Sequence, residues 1–170
     1  MTPKLVPLAE VARPHGVQGE LRLKVYNTDS DLLLDKTEVF VELGKGPAVL
    51  RKVRRTRRAH EAILMILEGC DGRDAAEAMR GAKICLARDA FPPLADGEFY
   101  ACDVVGLKVI SPEGEIGTVL ELYPYPTCDA LIVATPRGKI EVPVVEDVVE
   151  SIDVGEGVVR VVSRAALELA

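Results

Sequence analysis

The amino-acid sequence predicts a mostly β protein composed of two small β-barrels, with one short helix in the first. Short apolar or alternating runs recur along its 170 residues and are separated by Gly, Pro, Asn and Asp turn signals, which is typical of small barrels. Only one segment, in the N-terminal half, has a helical pattern. The tandem prolines Pro92-Pro93 are compatible with neither a helix interior nor a central strand. We therefore expect domains at residues 1–90 and 98–170, joined by a linker at residues 91–97.

The charge of the chain changes sign at this linker. Residues 1–90 hold 16 Lys and Arg against 13 Asp and Glu, a net charge of +3, whereas residues 91–170 hold 5 against 14, a net charge of −9. An acidic surface repels a phosphate backbone and attracts a basic partner. The N-terminal half is therefore the expected nucleic-acid face, and the C-terminal half is expected to bind a basic protein.

The N-terminal half begins with a strand and a loop of defined shape. Residues 5–12 predict an edge-like strand, because Pro7 cannot donate a ladder hydrogen bond. In the next segment, PHGVQGE, Gly16 and Gly19 permit positive φ or a close backbone approach. Further strands are predicted at residues 20–26, 38–43, 49–53, 62–67 and 83–87. The helix is predicted between an N-cap at Asp71 and a terminating glycine at Gly81.

Residues 51–58, RKVRRTRR, form the densest charge cluster, with six of eight residues basic. Because an apolar run follows at 62–67, we predict a hairpin with a basic tip. Arginine clamps phosphate bidentately, and no aromatic residue interleaves the cluster, so contact with an RNA backbone is favoured over base stacking. In the alternative interpretation, strand alternation divides the cluster between two faces and acidic residues pair with part of it. The candidate RNA-contacting residues are Arg13, His15, Arg54, Arg55, Arg57 and Arg58.

The C-terminal half opens on an aromatic pair beside acidic residues. Phe99 and Tyr100 follow the linker directly, in a chain that has only seven Phe and Tyr and no Trp. Exposed aromatics supply contact area at low entropic cost, and carboxylates select a cationic partner. The candidate residues for binding a basic protein are Phe99, Tyr100, Asp96, Glu98 and Asp103. The alternative is that one ring belongs to the core, because neighbouring residues of a strand point to opposite faces.

Strands of the second half are predicted at residues 104–110, 116–123, 130–135, 139–142 and 158–162, with a strand or a short helical turn at 145–152. About six strands in about 75 residues match the size of a small barrel.

The sequence has no motif for catalysis, a cofactor or a metal. It lacks a GxGxxG loop, a Walker loop, a GxSxG motif and a zinc signature, and no residues with ligand spacing accompany His15. Four widely spaced cysteines without a CxxC pair are typical of reduced thiols in the cytoplasm. No apolar run approaches the ~20 residues that span a bilayer, and the N-terminal segment has no signal-peptide core. We therefore expect a cytoplasmic protein that is not an enzyme, with no cofactor, metal or membrane partner.

Several stretches together resemble the ribosome maturation factor RimM family. They are PHGVQGE (residues 14–20), EGCDGRDAAEAMRGAKI (68–84), DGEFYACDVVGLKV (96–109) and KIEVP (139–143), which occur in the order and spacing of that family. The family's aromatic pair after the linker, usually two tyrosines, falls on Phe99 and Tyr100. The segment Tyr123-Pro124-Tyr125-Pro126 departs from the family, where a turn containing Gly or Asn is expected.

The resemblance implies an N-terminal barrel of the translation-factor type and a C-terminal PRC-type barrel. It also implies a non-enzymatic factor for late assembly of the small ribosomal subunit. Such a factor binds a basic head ribosomal protein, the nineteenth of that subunit, and assists folding and processing of small-subunit rRNA. We expect a monomer. One alternative is a plain RNA-binding module, which would not need a C-terminal half with a net charge of −9. The other is an enzyme acting on rRNA.

Overall fold

The computed structural model describes residues 2–95 and 98–168, and the chain divides into two compact units, Met1–Pro92 and Pro93–Ala170. The first unit contains strands β1 (Leu5–His15), β2 (Glu20–Val25), β3 (Glu38–Glu42), β4 (Val49–Ala59), β5 (Ala62–Leu67) and β6 (Lys83–Ala87), helix α1 (Arg73–Ala78) and a 3-10 turn at Arg88–Ala90. In the second unit, helix α2 (Ala101–Val104) precedes strands β7 (Lys108–Ser111), β8 (Gly114–Pro124), β9 (Asp129–Thr135), β10 (Gly138–Pro143), β11 (Val149–Asp153) and β12 (Val158–Val161), and helix α3 (Arg164–Glu168) follows.

The first unit is a closed barrel with strand order β1-β2-β5-β4-β3-β6, which the pairing of β6 with β1 completes. Leu21 and Leu23 of β2 are fully buried, as the period of two in this strand predicts. The predicted edge character of β1 is wrong, because β1 pairs with both β2 and β6. Pro7 is tolerated because the ladder with β6 shifts register between Pro7 and Ala9, and a bulge does not require the missing amide hydrogen.

Strand β4 contains the whole basic segment. The predicted basic hairpin tip is wrong, because β4 continues to Ala59 and the turn into β5 consists of His60 and Glu61. His60 has φ 56°, the left-handed conformation that a tight hairpin turn requires. The cationic residues 51–58 lie along the strand instead, paired first with β3 and then with β5. Strand β5 is buried along nearly its whole length and pairs with β4 from Val53 to Ala59. The arginines of β4 are compatible with this position because their aliphatic stems can lie against apolar neighbours while the guanidinium groups reach solvent.

Helix α1 is capped differently from the prediction. Its N-cap is Gly72, with φ 89° and no side-chain capping hydrogen bond, so the assignment of Asp71 is wrong. The carboxylate of Asp71 instead accepts a hydrogen bond from Arg54 at 3.1 Å. Ala76 is buried, and Gly81, with φ 81°, turns the chain towards β6. Helix α1 thus packs against β1 and β2 through the buried Ala76 side of its surface.

The second unit is a six-stranded sheet of order β10-β9-β8-β7-β12-β11. All pairs are antiparallel except β12 with β7, which run parallel. Its core is almost entirely aliphatic and consists of Val104, Leu107, Val109, Ile116, Val119, Leu131, Val133, Val142, Val148, Val149, Val159 and Val161. The predicted fold class, mostly β with two β units, is confirmed.

The start of the second unit differs from the predicted strand at residues 104–110. Residues 101–104 form α2, and β7 begins only at Lys108. Gly106 has φ 89°, and its amide donates to the Val119 carbonyl at 2.8 Å, so the chain turns there before the strand begins. The sequence did not predict this turn, because the apolar pair Val104-Val105 is compatible with a strand as well as with a buried helical turn.

Limited proteolysis tests whether the two units fold independently. Residues 92–95 are exposed between them, and exposed chain with few backbone hydrogen bonds is where proteases cut. We expect cleavage within residues 91–97 to release two stable fragments that mass spectrometry identifies. Cleavage distributed evenly through both halves would contradict the assignment of domains to 1–90 and 98–170.

Candidate nucleic-acid and protein interfaces

The outer surface of the barrel displays a row of residues across four strands, and three of them are arginines. Arg13 of β1 lies directly opposite Arg22 of β2, which lies opposite Leu64 of β5, which in turn lies opposite Arg57 of β4. Leu64 is only 1% exposed, although strand alternation directs it away from the barrel interior. Lys24 and Arg55 lie on the same outer surface by strand alternation. We name these cations the basic face: Arg13, Arg22, Lys24, Arg55 and Arg57.

Three arginines of the basic face, Arg13, Arg22 and Arg55, make no side-chain hydrogen bond or ion pair with the residues that the structure describes. Arg13 and Arg55 are exposed, whereas Arg22 is half-buried. Arg13 also lies opposite another cation, Arg22, and like charges directly across a ladder repel each other. A bound anion would relieve this repulsion, so the arrangement favours a phosphate ligand.

A cleft of about 430 Å³ borders this face. It is lined by His15, Gly16, Val17, Gln18, Glu20, Arg55, Arg57 and Ile66. Within it, Glu20 accepts two hydrogen bonds from Arg57, at 3.1 and 3.0 Å, and its carboxylate lies 3.9 Å from His15 Nε2. The hydrogen bond to Glu20 raises the pKa of Arg57 above its ordinary value. Among the described residues, Arg55 thus lies at the cleft without an ion-pair partner, while Glu20 partly neutralises Arg57.

The other arginines of the basic segment have intramolecular partners. Arg54 pairs with Asp71 at 3.1 Å. Arg58 donates to the carbonyls of Thr28 and Ser30, at 2.9 and 2.8 Å, and to the Asp31 carboxylate, and so fastens the loop after β2. Of the six candidate cations, Arg13 and Arg55 have no hydrogen-bond or ion-pair partner among the described residues. His15, Arg55 and Arg57 line the cleft. Arg55 is in both sets, and Arg54 and Arg58 are in neither.

Two members of the basic face, Arg22 and Lys24, were absent from the sequence-predicted candidates. The alternation of β2 already indicates that both side chains point outward. Their position beside Arg13 depends on the pairing of β1 with β2, which a single sequence does not specify.

In the second unit, Phe99 and Tyr100 precede α2 and are both half-buried. Phe99 packs against the aliphatic core of this unit, which agrees with the alternative in which one ring belongs to the core. Tyr100 is the N-cap residue of α2, in an extended conformation. Both residues retain part of their accessible surface.

The acidic residues around this pair have local partners as well. Glu98 is exposed, and its carboxylate accepts a hydrogen bond from the Ala95 amide at 3.1 Å. Asp103 is half-buried in the first turn of α2, and the Cys102 thiol donates to its Oδ1 at 3.8 Å. Asp96 lies outside the described residues. The structure thus brings Glu98, Phe99, Tyr100 and Asp103 together in one short segment.

The described residues contain neither a metal-binding cluster nor a membrane-spanning helix. No group of three or more His, Cys, Asp or Glu among them is arranged to hold a metal ion. Within residues 2–95 and 98–168, no helix has the length and apolar character that crossing a membrane requires. Cys70 and Cys85 are buried free thiols, and desolvation raises the pKa of each.

Two family models and several known proteins match the chain. The RimM N-terminal domain matches residues 6–91, and the RimM PRC barrel domain matches residues 102–167. A ribosome maturation factor RimM from Sorangium cellulosum is 49% identical over 98% of this chain and 99% of its own length, and one from Oleidesulfovibrio alaskensis is 35% identical over 93% and 91%. A crystal structure titled as a 16S ribosomal RNA processing protein RimM, from Pseudomonas aeruginosa, is 25% identical with a TM-score of 0.49 and covers 95% of this chain and 99% of its own. The two domain matches and the near full-length relatives show that the chain belongs to the ribosome maturation factor RimM family.

Proposed function

We propose that the protein assists maturation of the small ribosomal subunit as a non-enzymatic, cytoplasmic factor. Its second unit binds a basic head ribosomal protein, the nineteenth of that subunit, and its first unit contacts small-subunit rRNA. In this way it supports folding and processing of the rRNA. The observation that carries the proposal is the separation of charge, since residues 91–170 have a net charge of −9 while the first unit has a face with free arginines.

The protein-binding side rests on the segment 98–103. Half-buried rings that retain accessible surface make strong anchors in an interface, and neighbouring carboxylates select a basic partner. Tyr100 and Phe99 supply the rings, and Glu98 and Asp103 supply the charge. Ribosomal proteins that bind RNA are rich in Lys and Arg, so electrostatic attraction accelerates their encounter with this unit.

The RNA-binding side rests on the basic face and its cleft. A phosphate in the cleft meets Arg55. The repelling pair Arg13 and Arg22 lies farther along the same face, on β1 and β2, and offers a place for a second phosphate of the backbone. Arg57 has a smaller role in phosphate binding, because Glu20 already occupies two of its donors. Arg54 and Arg58 act mainly on the fold through their partners. Such contacts recognise the backbone of structured RNA without reading its sequence.

A plain RNA-binding module is the second candidate, because the basic face alone would support one. The two candidates differ in the protein partner. We expect the immobilised protein to retain the basic head protein from a mixture of purified small-subunit proteins in the absence of RNA. A parallel experiment offers the immobilised protein naked small-subunit rRNA. Retention of the rRNA there, with no ribosomal protein retained from the protein mixture, would favour the module.

Replacing Tyr100 with alanine tests the anchor. Truncating an aromatic anchor costs ~2 kcal/mol or more, so affinity for the basic ribosomal protein should fall by at least about tenfold. Asp96→Asn at the charged rim should mainly slow association and reduce its salt dependence. Titration calorimetry on the full chain measures the affinity, and surface-binding kinetics measure the rates.

Two controls keep this result interpretable. Tyr26→Ala removes a ring that is 53% exposed in the first unit and should leave the affinity unchanged. Circular dichroism checks that Tyr100→Ala remains folded, and Phe99→Ala is compared with it, because Phe99 packs on the core. Folded Phe99→Ala and Tyr100→Ala variants that both bind as tightly as the parent would remove this segment from the interface.

A further inference from the structure

The segment Tyr123-Pro124-Tyr125-Pro126 forms an exposed aromatic corner that the proposed interfaces do not use. Tyr123 and Tyr125 are 46% and 42% exposed, and their ring centroids lie 4.9 Å apart at an interplanar angle of 50°. The Tyr125 hydroxyl donates a hydrogen bond to Glu141 Oε2 at 3.2 Å. This bond to the neighbouring carboxylate raises the pKa of Tyr125 above its ordinary value. The two rings are therefore held in place without being buried.

Strand register places carboxylates beside the rings. Glu121 of β8 lies opposite Ile132 of β9, which lies opposite Glu141 of β10. Tyr123 follows Glu121 by two residues and therefore points to the same side of the sheet. Leu122, between them, lies opposite the buried Leu131 on the other side. We name the outward-pointing residues Glu121, Tyr123, Tyr125 and Glu141 the acidic aromatic patch.

This combination of groups fits the chemistry of arginine. A guanidinium stacks flat on a tyrosine ring and at the same time donates paired hydrogen bonds to a carboxylate. Lysine, a compact and strongly hydrated charge, gains less from the rings. The Tyr123–Tyr125 pair, together with Glu121 and Glu141 on either side of Ile132, can therefore offer one guanidinium both stacking and hydrogen bonding.

Charge complementarity also identifies the kind of partner. The second unit, with 5 Lys and Arg against 14 Asp and Glu, repels nucleic acid. A second copy of this chain would bring the same carboxylates face to face. Lys139 lies two residues before Glu141 on β10, on the same side of the sheet, and limits the patch in that direction. A positively charged protein segment is the occupant that remains favourable.

We propose that the acidic aromatic patch docks an arginine-bearing segment of a basic protein, with a guanidinium stacked on the Tyr123–Tyr125 pair and hydrogen-bonded to Glu121 or Glu141. The proposal rests on the proposed function only in taking the partner of the second unit to be basic. It involves no residue of the segment 98–103. The proposal for the patch and the proposal for the Tyr100 anchor are therefore tested by different variants, and either can be wrong without the other.

Titration of the full chain with two peptides of equal charge tests the proposal. The probes are ten-residue peptides of arginine and of lysine, and fluorescence anisotropy of a labelled peptide measures binding. We expect the arginine peptide to bind at least about threefold more tightly than the lysine peptide. In the double variant Tyr123→Ala, Tyr125→Ala, this preference should disappear, because only non-specific attraction to the acidic unit remains.

Matched variants assign the effect to the patch. Tyr26→Ala, which removes an exposed ring of the first unit, should keep the preference. Lys139→Ala should strengthen binding of both peptides, because it removes a repelling charge from the edge of the patch. An NMR titration of the unmodified protein supplies a readout without mutation, in which the Tyr123 and Tyr125 ring signals shift on addition of the arginine peptide.

Equal binding of the two peptides by the parent protein would overturn the proposal. So would an arginine preference that persists in the double variant, or ring signals that do not shift. Tighter binding of a structured RNA by the parent than by the double variant would assign the patch to nucleic acid and would also overturn it.

Discussion

Replacing Gly19 with alanine should unfold the barrel of the first unit, or lower its unfolding temperature by more than about 10 °C. A methyl group at Gly19 would lie 2.0 Å from the carbonyl oxygen of Cys70 and 3.0 Å from the amide nitrogen of Gly72. These are backbone atoms, which cannot rotate away as a flexible side chain can. Gly19 also has φ 86°, which costs an L-residue roughly 1–2 kcal/mol. With a further ~1–3 kcal/mol for overpacking, the loss is large for a domain of this size.

Gly16 provides the matched control in the same loop. It also has a positive φ, 67°, but a methyl group there would meet nothing within 4 Å. Gly16→Ala should therefore lose only the conformational term of about 1 kcal/mol, a shift of a few degrees. Differential scanning calorimetry measures both variants. If Gly19→Ala and Gly16→Ala unfold at the same temperature, the close approach of this loop to residues 70–72 is wrong.

Reversing the charge of Arg13 and Arg55, the two exposed arginines of the basic face that have no partner among the described residues, should nearly abolish RNA binding. Arg13 and Arg55 have no intramolecular partner among the described residues, so Arg13→Glu with Arg55→Glu removes two expected phosphate contacts and adds two repelling charges. Each phosphate contact contributes about one unit to the slope of log affinity against log salt. We expect a slope smaller by about two and an affinity for immature small subunits lower by on the order of a hundredfold at low salt. Filter binding across a salt series measures both quantities.

The control for this variant changes the net charge equally at other sites. Lys45→Glu with Arg137→Glu alters two exposed cations in turns that are not part of the basic face, and should reduce affinity only slightly. Arg58→Gln is a further comparison, because the Arg58 side chain holds the loop after β2. Its loss should lower the free energy of unfolding and have a smaller effect on the affinity for RNA. Equal loss of affinity in the Arg13–Arg55 variant and in the control would mean that overall charge, and not the basic face, governs binding.

Local chain chemistry accounts for what the sequence predicted correctly. The alternation in β2 predicted the burial of Leu21 and Leu23, because a period of two determines which side chains face the core. The glycines of the PHGVQGE loop predicted positive φ or a close backbone approach, and Gly19 has both. The fold class followed from the recurrence of short strands between turn signals.

Long-range pairing accounts for what the sequence did not predict. The partners of Arg54, Arg57 and Arg58 lie 17 to 37 residues away along the chain, so the distinction between engaged and free cations depends on the folded barrel. The extent of β4 was missed because its exposed basic residues lack the apolar alternation of a strand, and β5 supplies the pairing that fixes it. The clustering of Glu121, Tyr123 and Glu141 likewise depends on the register of β8, β9 and β10.

A cryo-electron microscopy reconstruction of the protein bound to an immature small ribosomal subunit tests the central claim most directly. The account predicts that the guanidinium groups of Arg13 and Arg55 lie within about 4 Å of rRNA phosphates, the distance of an ion pair. It also predicts that residues 98–103 contact a basic ribosomal protein of the head. A complex in which the basic face is exposed to solvent, or in which the acidic second unit rests on rRNA and touches no ribosomal protein, would contradict the account.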